Sequence, residues 1–429
     1  MTTGSAADSL SPYRGLPPDL TDRIPPGQTL AIDWPVLTYA LTPQTPDSAW
    51  HVVVDGMVTE ARSWSLAELR TLPAESVTMD IHCVTGWSKL DMRFYGVPVR
   101  RLLDQVGIPP EAKYALIEAY DDCSTNLPLS HVMEDAWLVW AANGEPLDAV
   151  HGGPLRLVTR GKYFWKSLKW VNRISLLAED SPGYWERLGY HNDADPWREQ
   201  RSAYDEEWQR AVVIESHDET PTLRTLTLGI AGWESHNPGQ HIKIVAGHGD
   251  SRFFRLYSIG SAPGTGRLQI TVDRRDDGLV SPWLHRLRPG DTIDVSGPNG
   301  TRYVFQPGNH SLFIGGGSGV VPLMSMMRSC VRDHAGTPSH LVVSVKTPDD
   351  LPFAEELTGS ARVCHTRQRG PGDTRAPGRL RSEDLADLID TSGIAYICGS
   401  SGFVEHVGTL LLELGYPPAQ IMAQRYGPG

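Results

Sequence analysis

The chain has 429 residues with 39 Lys and Arg against 51 Asp and Glu, a net charge of −12 and a negative mean hydropathy. A length prior of roughly 150 residues per domain predicts about three domains, and the negative balance argues against nucleic acid or an anionic membrane surface as partner. Five cysteines, odd in number and irregularly spaced, argue against a disulfide framework and for reduced thiols, with no CxxC pair for zinc and no quartet for an iron-sulfur cluster. No apolar run nears the ~20 residues of a bilayer span. The first thirty residues carry no basic, apolar or twin-arginine leader signal, so a soluble cytoplasmic protein is expected.

In chain order, residues 1–32 are rich in Pro, Ser, Thr and Asp without periodicity and predict a surface arm. Residues 33–201 mix short β-rich runs (His51 to Val54, Trp137 to Ala141) with short helical runs (Ser65 to Thr71, Val99 to Val106), the texture of an α+β domain. The charged, aromatic stretch from Asp195 to Trp208 reads as a solvated linker, centred on residues 202–209. Alternation at Ala211 to Glu215, Leu223 to Leu228, His241 to Val245 and Leu268 to Val272, with Gly and Pro between, predicts an antiparallel β-barrel over residues 210–307. Residues 308–429 alternate strand, glycine loop, helix and strand, which predicts an α/β Rossmann-like domain.

Within the first domain, Cys83 sits in IHCVTGWS, flanked by His82 and Thr85. A lone cysteine is more often a small buried hydrophobe than a ligand. Downstream, HGGPLR from His151 and WKSLKW from Trp165 gather His151, Arg156, Lys166, Ser167 and Lys169 among glycines and aromatics, a pattern suited to holding a phosphate rather than to a solvated face. Together these motifs resemble the sulfite oxidase-type molybdopterin family, in its short soluble bacterial branch, over about residues 34–201. The resemblance implies that Cys83 binds molybdenum, with His82 beside it. It further implies that His151, Arg156, Ser167 and Lys169 hold the pterin, that Asn126 in DCSTNLP approaches it, and that Tyr190 in PGYWERLGYH reaches the metal's oxo pocket.

The chain departs from that family after the cysteine, reading VTGWS where sulfite oxidases read CAGNRR from the ligand onward. The segment WPVLTYALTP from Trp34 also lacks arginine. A pocket without those cations would bind sulfite or nitrate poorly and suit a neutral oxo compound, with Trp87 as an apolar wall. Cys123 reads as buried filler. HGGP at His151 has the wrong order for a haem loop, and there is no CxxCH.

In the second half, RLYS offers Arg255 for a flavin phosphate, Tyr257 to stack and Ser258 to donate toward the flavin N5. GLVSPWLH adds Gly278, Val280 and Ser281 at a helix start. GGGSGVVP places Gly315, Gly316, Gly317 and Gly319 between a strand and a helix, where backbone N–H groups meet a pyrophosphate. CGSSG adds Cys398 and Gly399, with Cys398 read as a positioning residue rather than a nucleophile. From about Arg210 to the C-terminus these elements resemble the ferredoxin reductase family. That implies FAD and a nicotinamide, with Gln424, Arg425 and Tyr426 matching its C-terminal end; Lys346 alone does not separate NADH from NADPH.

The expected protein is thus a multidomain enzyme with molybdenum-molybdopterin, FAD and NADH or NADPH, reducing a small oxo substrate (an S-oxide, N-oxide or N-hydroxylated compound) by oxygen-atom transfer. A homodimer is a possible arrangement for flavin-to-metal transfer. The alternatives are a molybdenum oxidase or dehydrogenase passing electrons to FAD and NAD⁺ or another acceptor, and a flavin reductase delivering electrons to a protein partner.

Overall fold

The structure, a computed structural model, describes residue 20 and residues 22–37, 41–203, 207–246, 253–276, 278, 280–308, 310–370 and 372–426. It divides into two compact units, Pro12–Trp34 with Thr42–Glu206, and Pro35–Leu41 with Glu207–Gly429.

The first unit is α+β. Its strands are β1 (Thr29–Leu30), β2 (His51–Gly56), β3 (Arg62–Ser65), β4 (Glu75–Cys83), β5 (Trp87–Pro98), β6 (Tyr114–Ala119), β7 (Ser124–Pro128), β8 (Ala136–Ala142), β9 (Glu145–Pro146), β10 (Arg156–Thr159) and β11 (Val171–Leu177). One sheet runs β1-β5-β8-β10, with β4 on β5 and β9 on β8; the other runs β3-β2-β11-β6-β7. Val77, Met79 and Ile81 alternate into the core along β4, as a half-buried strand requires. The alternation breaks at His82, which is buried beside Ile81, because a register shift between Met79 and Ile81 bends the β4–β5 hairpin. Helix α1 (Leu66–Thr71) starts at the expected place, with Ser65 and Glu68 forming a capping box. The expected helix over residues 99–106 shortens to a single turn, Arg100–Leu103.

The expected surface arm is corrected where it is described. Thr29 and Leu30 pair with Trp87 and Ser88, Ile24 and Gln28 are buried, and Arg23 bonds Asp80 at 2.6 Å and Asp91 at 2.7 Å. Pro and Ser content concealed this, since a two-residue edge strand has no periodicity to detect. Residues 1–19 of that arm lie outside the described residues.

The second unit holds two sheets. Six strands, β12 (Trp208–Asp218), β13 (Leu223–Ile230), β14 (His241–Ala246), β15 (Phe253–Ser258), β16 (Leu268–Asp273) and β17 (Thr292–Asn299), run β15-β14-β17-β12-β13-β16, each pairing antiparallel. A bridge from Ile259 to Ile270 joins the two ends and closes the expected barrel. β12 begins inside the expected linker, because Trp208 already pairs with Ser296. The rest is a parallel sheet of β18 (Ser311–Gly316), β19 (Ser339–Val345), β20 (Arg362–His365), β21 (Ile394–Gly399) and β22 (Ile421–Arg425). Its order, β20-β19-β18-β21-β22, is that of a doubly wound α/β domain, flanked by α2 (Val320–Asp333) and α3 (Ser401–Glu413).

Burial depresses the His241 imidazole on β14 from 6.5 to about 4. Such a group binds fewer protons folded than unfolded, so its stabilisation is complete above pH 6.5 and is lost as pH falls toward 4. Denaturant melts of the barrel between these pH values should show that decline, and His241→Gln should flatten it.

Candidate functional site

Cys83 ends β4 and faces Trp87 across the hairpin, where the Gly86 N–H donates to the Cys83 carbonyl at 3.0 Å. Its Sγ lies 3.2 Å from Thr85 Oγ1. Burial pushes this thiol up, while the Thr85 contact and the charges of Arg201 and Lys169 pull it down. Behind it, Gln28 Nε2 donates to the Cys83 carbonyl at 3.0 Å, Ser88 Oγ donates to Gln28 Oε1 at 3.4 Å, and His82 Nδ1 meets Ser88 Oγ at 2.8 Å. Desolvation lowers His82 to about 4, so its ring is neutral at ordinary pH. His82 therefore props the hairpin from behind. Among the described residues no group of three or more His, Cys, Asp or Glu forms a metal shell.

The predicted pterin residues converge. Arg156 is 1% exposed, yet its guanidinium meets only carbonyls, His151 O and Ser167 O at 2.6 Å and Leu157 O at 3.3 Å, between the rings of Trp34 and Phe164. Burial without a compensating carboxylate lowers it to about 9. His151 stacks on Trp34 at 4.1 Å and places Nε2 3.0 Å from the Trp34 carbonyl. Lys169 Nζ donates to Val150 O at 2.6 Å, and Ser167 Oγ accepts from the Thr159 N–H at 3.0 Å. Gly152, at φ +103°, lets these residues approach: a Cβ there would lie 2.9 Å from Arg156 Cβ and 3.1 Å from Lys169 Cβ.

Asn126 and Tyr190 sit differently. Asn126 donates to Asp180 at 2.7 Å and Asn192 at 2.8 Å, and its oxygen accepts from Lys166 at 3.0 Å and the Gly183 N–H at 3.2 Å. With both ends engaged inside the protein, it ties strands and loops together instead of offering a donor to a ligand. Lys166, fully buried, pairs with Glu186 at 2.6 Å. Tyr190 packs at 5.1 Å from Trp165 and 5.0 Å from Trp185, and Trp165 in turn stacks on Tyr163, whose backbone bridges to His82.

Sequence reasoning missed Arg201. The stretch read as a linker folds back: Ala194 accepts from the Tyr163 N–H at 2.7 Å, Trp197 lies edge-on to His82, and buried Arg201 donates to the carbonyls of Val84 at 3.1 Å and Pro26 at 3.0 Å. The arginines that sulfite oxidases carry after the cysteine and near Trp34 are absent as read, and Arg201 adds a buried cation from elsewhere in the chain. The charges of Arg201 and Lys169 both pull the Cys83 thiol down, while Arg201 also donates to the loop carbonyls of Val84 and Pro26. The only sequence signal was an arginine among aromatics, in a segment whose charges looked solvated.

In the second unit the flavin and nicotinamide motifs meet at the ends of the two sheets. Ser258 Oγ lies 2.8 Å from the Tyr426 hydroxyl, and the Tyr426 N–H donates to Gly399 O at 2.9 Å. Arg255 donates to Phe254 O at 2.8 Å, burial pushes the Tyr257 phenol up, and Ser281 Oγ accepts from the Arg275 N–H at 3.0 Å. Val280 begins the short helix Val280–Leu284, and a Cβ on Gly278 would lie 3.1 Å from Arg275 O. A Cβ on Gly319 would lie 2.2 Å from Cys398 O, one on Gly316 2.8 Å from the Phe403 ring and one on Gly315 3.0 Å from Val320 Cα, so the loop packs at backbone distance. Gly317, at φ +54°, opens onto free space where a pyrophosphate can approach. Burial pushes the Cys398 thiol up to about 12, so it is no thiolate nucleophile at neutral pH.

Comparison with known proteins identifies three domains in the chain. The family model described as oxidoreductase molybdopterin binding domain matches residues 39–185, oxidoreductase FAD-binding domain matches residues 211–303, and oxidoreductase NAD-binding domain matches residues 313–409. An uncharacterized oxidoreductase, YuiH, of Bacillus subtilis is 40% identical over 189 residues, 44% of this chain and 96% of that protein. Ferredoxin–NADP reductase B of Sorangium cellulosum is 34% identical over 208 residues, 44% of this chain and 84% of that one. The crystal structure of a ferredoxin NADP⁺ reductase from Neisseria gonorrhoeae aligns with a TM-score of 0.45 at 23% identity, covering 51% of this chain and 98% of that one. The chain belongs to the molybdopterin-binding oxidoreductases and carries FAD-binding and NAD-binding domains of the ferredoxin reductase type in the same polypeptide. It is an oxidoreductase linked to NAD(P)H. Among the described residues no helix is long and apolar enough to cross a membrane.

The residues present fit the cofactors. A buried guanidinium without a carboxylate suits a pterin phosphate, a single thiolate suits a metal already held by a dithiolene, and the open face at Gly317 suits a dinucleotide.

Proposed function

We propose that the protein is an NAD(P)H-dependent reductase of small oxo compounds, an S-oxide, N-oxide or N-hydroxylated molecule. When bound, nicotinamide and FAD would supply hydride and single-electron chemistry, and molybdopterin an oxo-transfer metal. The observation that carries the reading is the presence in one chain of a nicotinamide loop open at Gly317 and a cysteine hairpin ringed by pterin-type donors. Gly315, Gly316, Gly317 and Gly319 admit the pyrophosphate, Ser258 and Tyr426 line the flavin, and Cys83 offers the ligand sulfur. Arg156, His151, Ser167 and Lys169 hold the pterin side, and Tyr190 closes the pocket with its aromatic neighbours. Anaerobic, molybdenum-loaded protein should oxidise NADPH stoichiometrically with methionine sulfoxide, trimethylamine N-oxide or hydroxylamine. Sulfite-driven NAD⁺ reduction without any of these would establish the dehydrogenase direction instead.

The nicotinamide is proposed to be NADPH. Lys346 follows β19, the strand beside the pyrophosphate loop, where an acid would read a ribose 2′-hydroxyl in an NAD enzyme. The Arg367 N–H donates to Lys346 O at 2.9 Å, which sets Arg367 beside it, and Lys346, Arg367 and Arg369 are all exposed. Two phosphate contacts of roughly 1.5 kcal/mol each give about a hundredfold. Lys346→Glu with Arg367→Glu should lower kcat/KM for NADPH by that factor and spare NADH.

A further inference from the structure

Helix α2 grips the loop that leaves the flavin strand β15. Its first turn follows the glycine loop of residues 315–319, and Ser325, Arg328 and Arg332, three and four residues apart, share one helix face. All three donate to the same barrel loop: Ser325 Oγ to Ser261 O at 2.7 Å, Arg328 Nη1 to Gly260 O at 2.7 Å, and Arg332 Nη1 to Pro263 O. That loop begins just after Ser258, whose Oγ meets the Tyr426 hydroxyl. It also closes the barrel, since the Gly260 N–H donates to Gln269 O at 2.8 Å. Gly260 packs against the first turn of α2, where a Cβ on it would lie 3.3 Å from Val321 Cγ1.

Arg328 reaches further than its two neighbours. Its fork bonds Glu356 at 2.9 and 2.5 Å, Nη1 lies 3.4 Å from Gln269 Oε1, and the guanidinium carbon sits 5.2 Å from the Phe353 ring centroid. Phe353 stands at φ +55°, a conformation that bulky residues rarely adopt, and its N–H donates to Glu219 of the barrel at 3.0 Å. A guanidinium with a bidentate carboxylate partner has a fixed plane, so one rigid group ties a barrel carbonyl to the carboxylate and ring of the nicotinamide domain. We propose that Arg328 is a positioning residue for hydride transfer between nicotinamide and FAD. By holding the Gly260 loop against α2 it fixes the spacing between the glycine loop and Ser258, and with it the approach of one cofactor ring to the other. This rests on the FAD-binding and NAD-binding domains and holds whatever the first unit reduces. Misplacement by about 1 Å can slow such a step about a hundredfold.

The test is anaerobic rapid-mixing reduction of the flavin in the full chain, by NADPH and by NADH, in wild type, Arg328→Met and Arg328→Lys. Arg328→Met should lower the limiting rate about thirtyfold while the nicotinamide Kd stays within about twofold. The long-wavelength charge-transfer absorbance that reports stacking of the two rings should weaken with it. Arg328→Lys keeps a donor for Gly260 O and should recover the rate to within about threefold of wild type. A merely structural role would lower the thermal midpoint and FAD content of Arg328→Met yet leave its FAD-loaded fraction at the wild-type limiting rate. That outcome, a weaker Kd without a slower rate, or a Lys variant as slow as the Met variant overturns the proposal. Should Arg328→Met fail to fold, Glu356→Gln loosens the same fork with the guanidinium in place and should slow reduction about fivefold; a wild-type rate there overturns it equally.

Discussion

Cys83→Ser is expected to lower NADPH oxidation driven by an oxo substrate by about a thousandfold or more, a loss of about 4 kcal/mol of transition-state stabilisation. NADPH-dependent ferricyanide reduction should stay at the wild-type rate. The two readouts part because the residues serving them lie in different units: Cys83 in the hairpin of the first, and Gly317, Ser258 and Tyr426 in the second. Serine nearly keeps the volume and the contact to Thr85 but replaces a soft sulfur donor by a hard alcohol that a sulfur-rich metal centre holds poorly. The variant should therefore retain its fold and its flavin. A Cys83→Ser protein that reduced an S-oxide at the wild-type rate would remove the metal from the proposed route, and only a flavin reductase serving some other acceptor would remain.

What the sequence made legible follows from how locally each signal is written. Cys83 and Trp87 stand four residues apart on one hairpin, and the glycines of residues 315–319 sit between one strand and one helix, so motif and structure coincide. Arg201 illustrates the opposite case. It reaches Val84 across 117 residues of chain, and an arginine in a charged, proline-containing stretch has no local mark that separates a buried clamp from a solvated side chain. Gln28 is the same problem at the other end, buried beneath the hairpin through a two-residue strand too short to show a period. Asn126 was found but its partners were not. Its oxygen is taken by Lys166 and Gly183, which a motif alone does not reveal. Local chemistry therefore singled out Cys83 and the glycine loop of residues 315–319, whereas long-range polar ties decide what surrounds them.

Those ties set the second large effect. Lys166→Met should destabilise the first unit by roughly 3–5 kcal/mol, because removing one partner of a buried ion pair leaves the other uncompensated. The Lys166 ammonium is wholly buried, bonds Glu186 at 2.6 Å and also reaches the Asn126 carbonyl at 2.9 Å, and its pKa is lowered because burial outweighs the pull of that carboxylate. Glu186 belongs to the helix Tyr184–Arg187, just ahead of Tyr190, and its Oε1 also receives Trp165 Nε1 at 2.9 Å. The pair thus joins the turn before Ser167 and Lys169 to the segment that carries Tyr190. For a unit of this size the loss corresponds to a fall of about 10 °C in thermal midpoint. Molybdenum content should fall with it, since Ser167 and Lys169, proposed above to hold the pterin, follow the same turn. Lys166→Met combined with Glu186→Met removes both charges and should recover more than half of the lost stability. If metal content stays low in that double variant while the midpoint recovers, the buried pair acts by orienting the cofactor residues; if both recover together, its contribution is to folding alone.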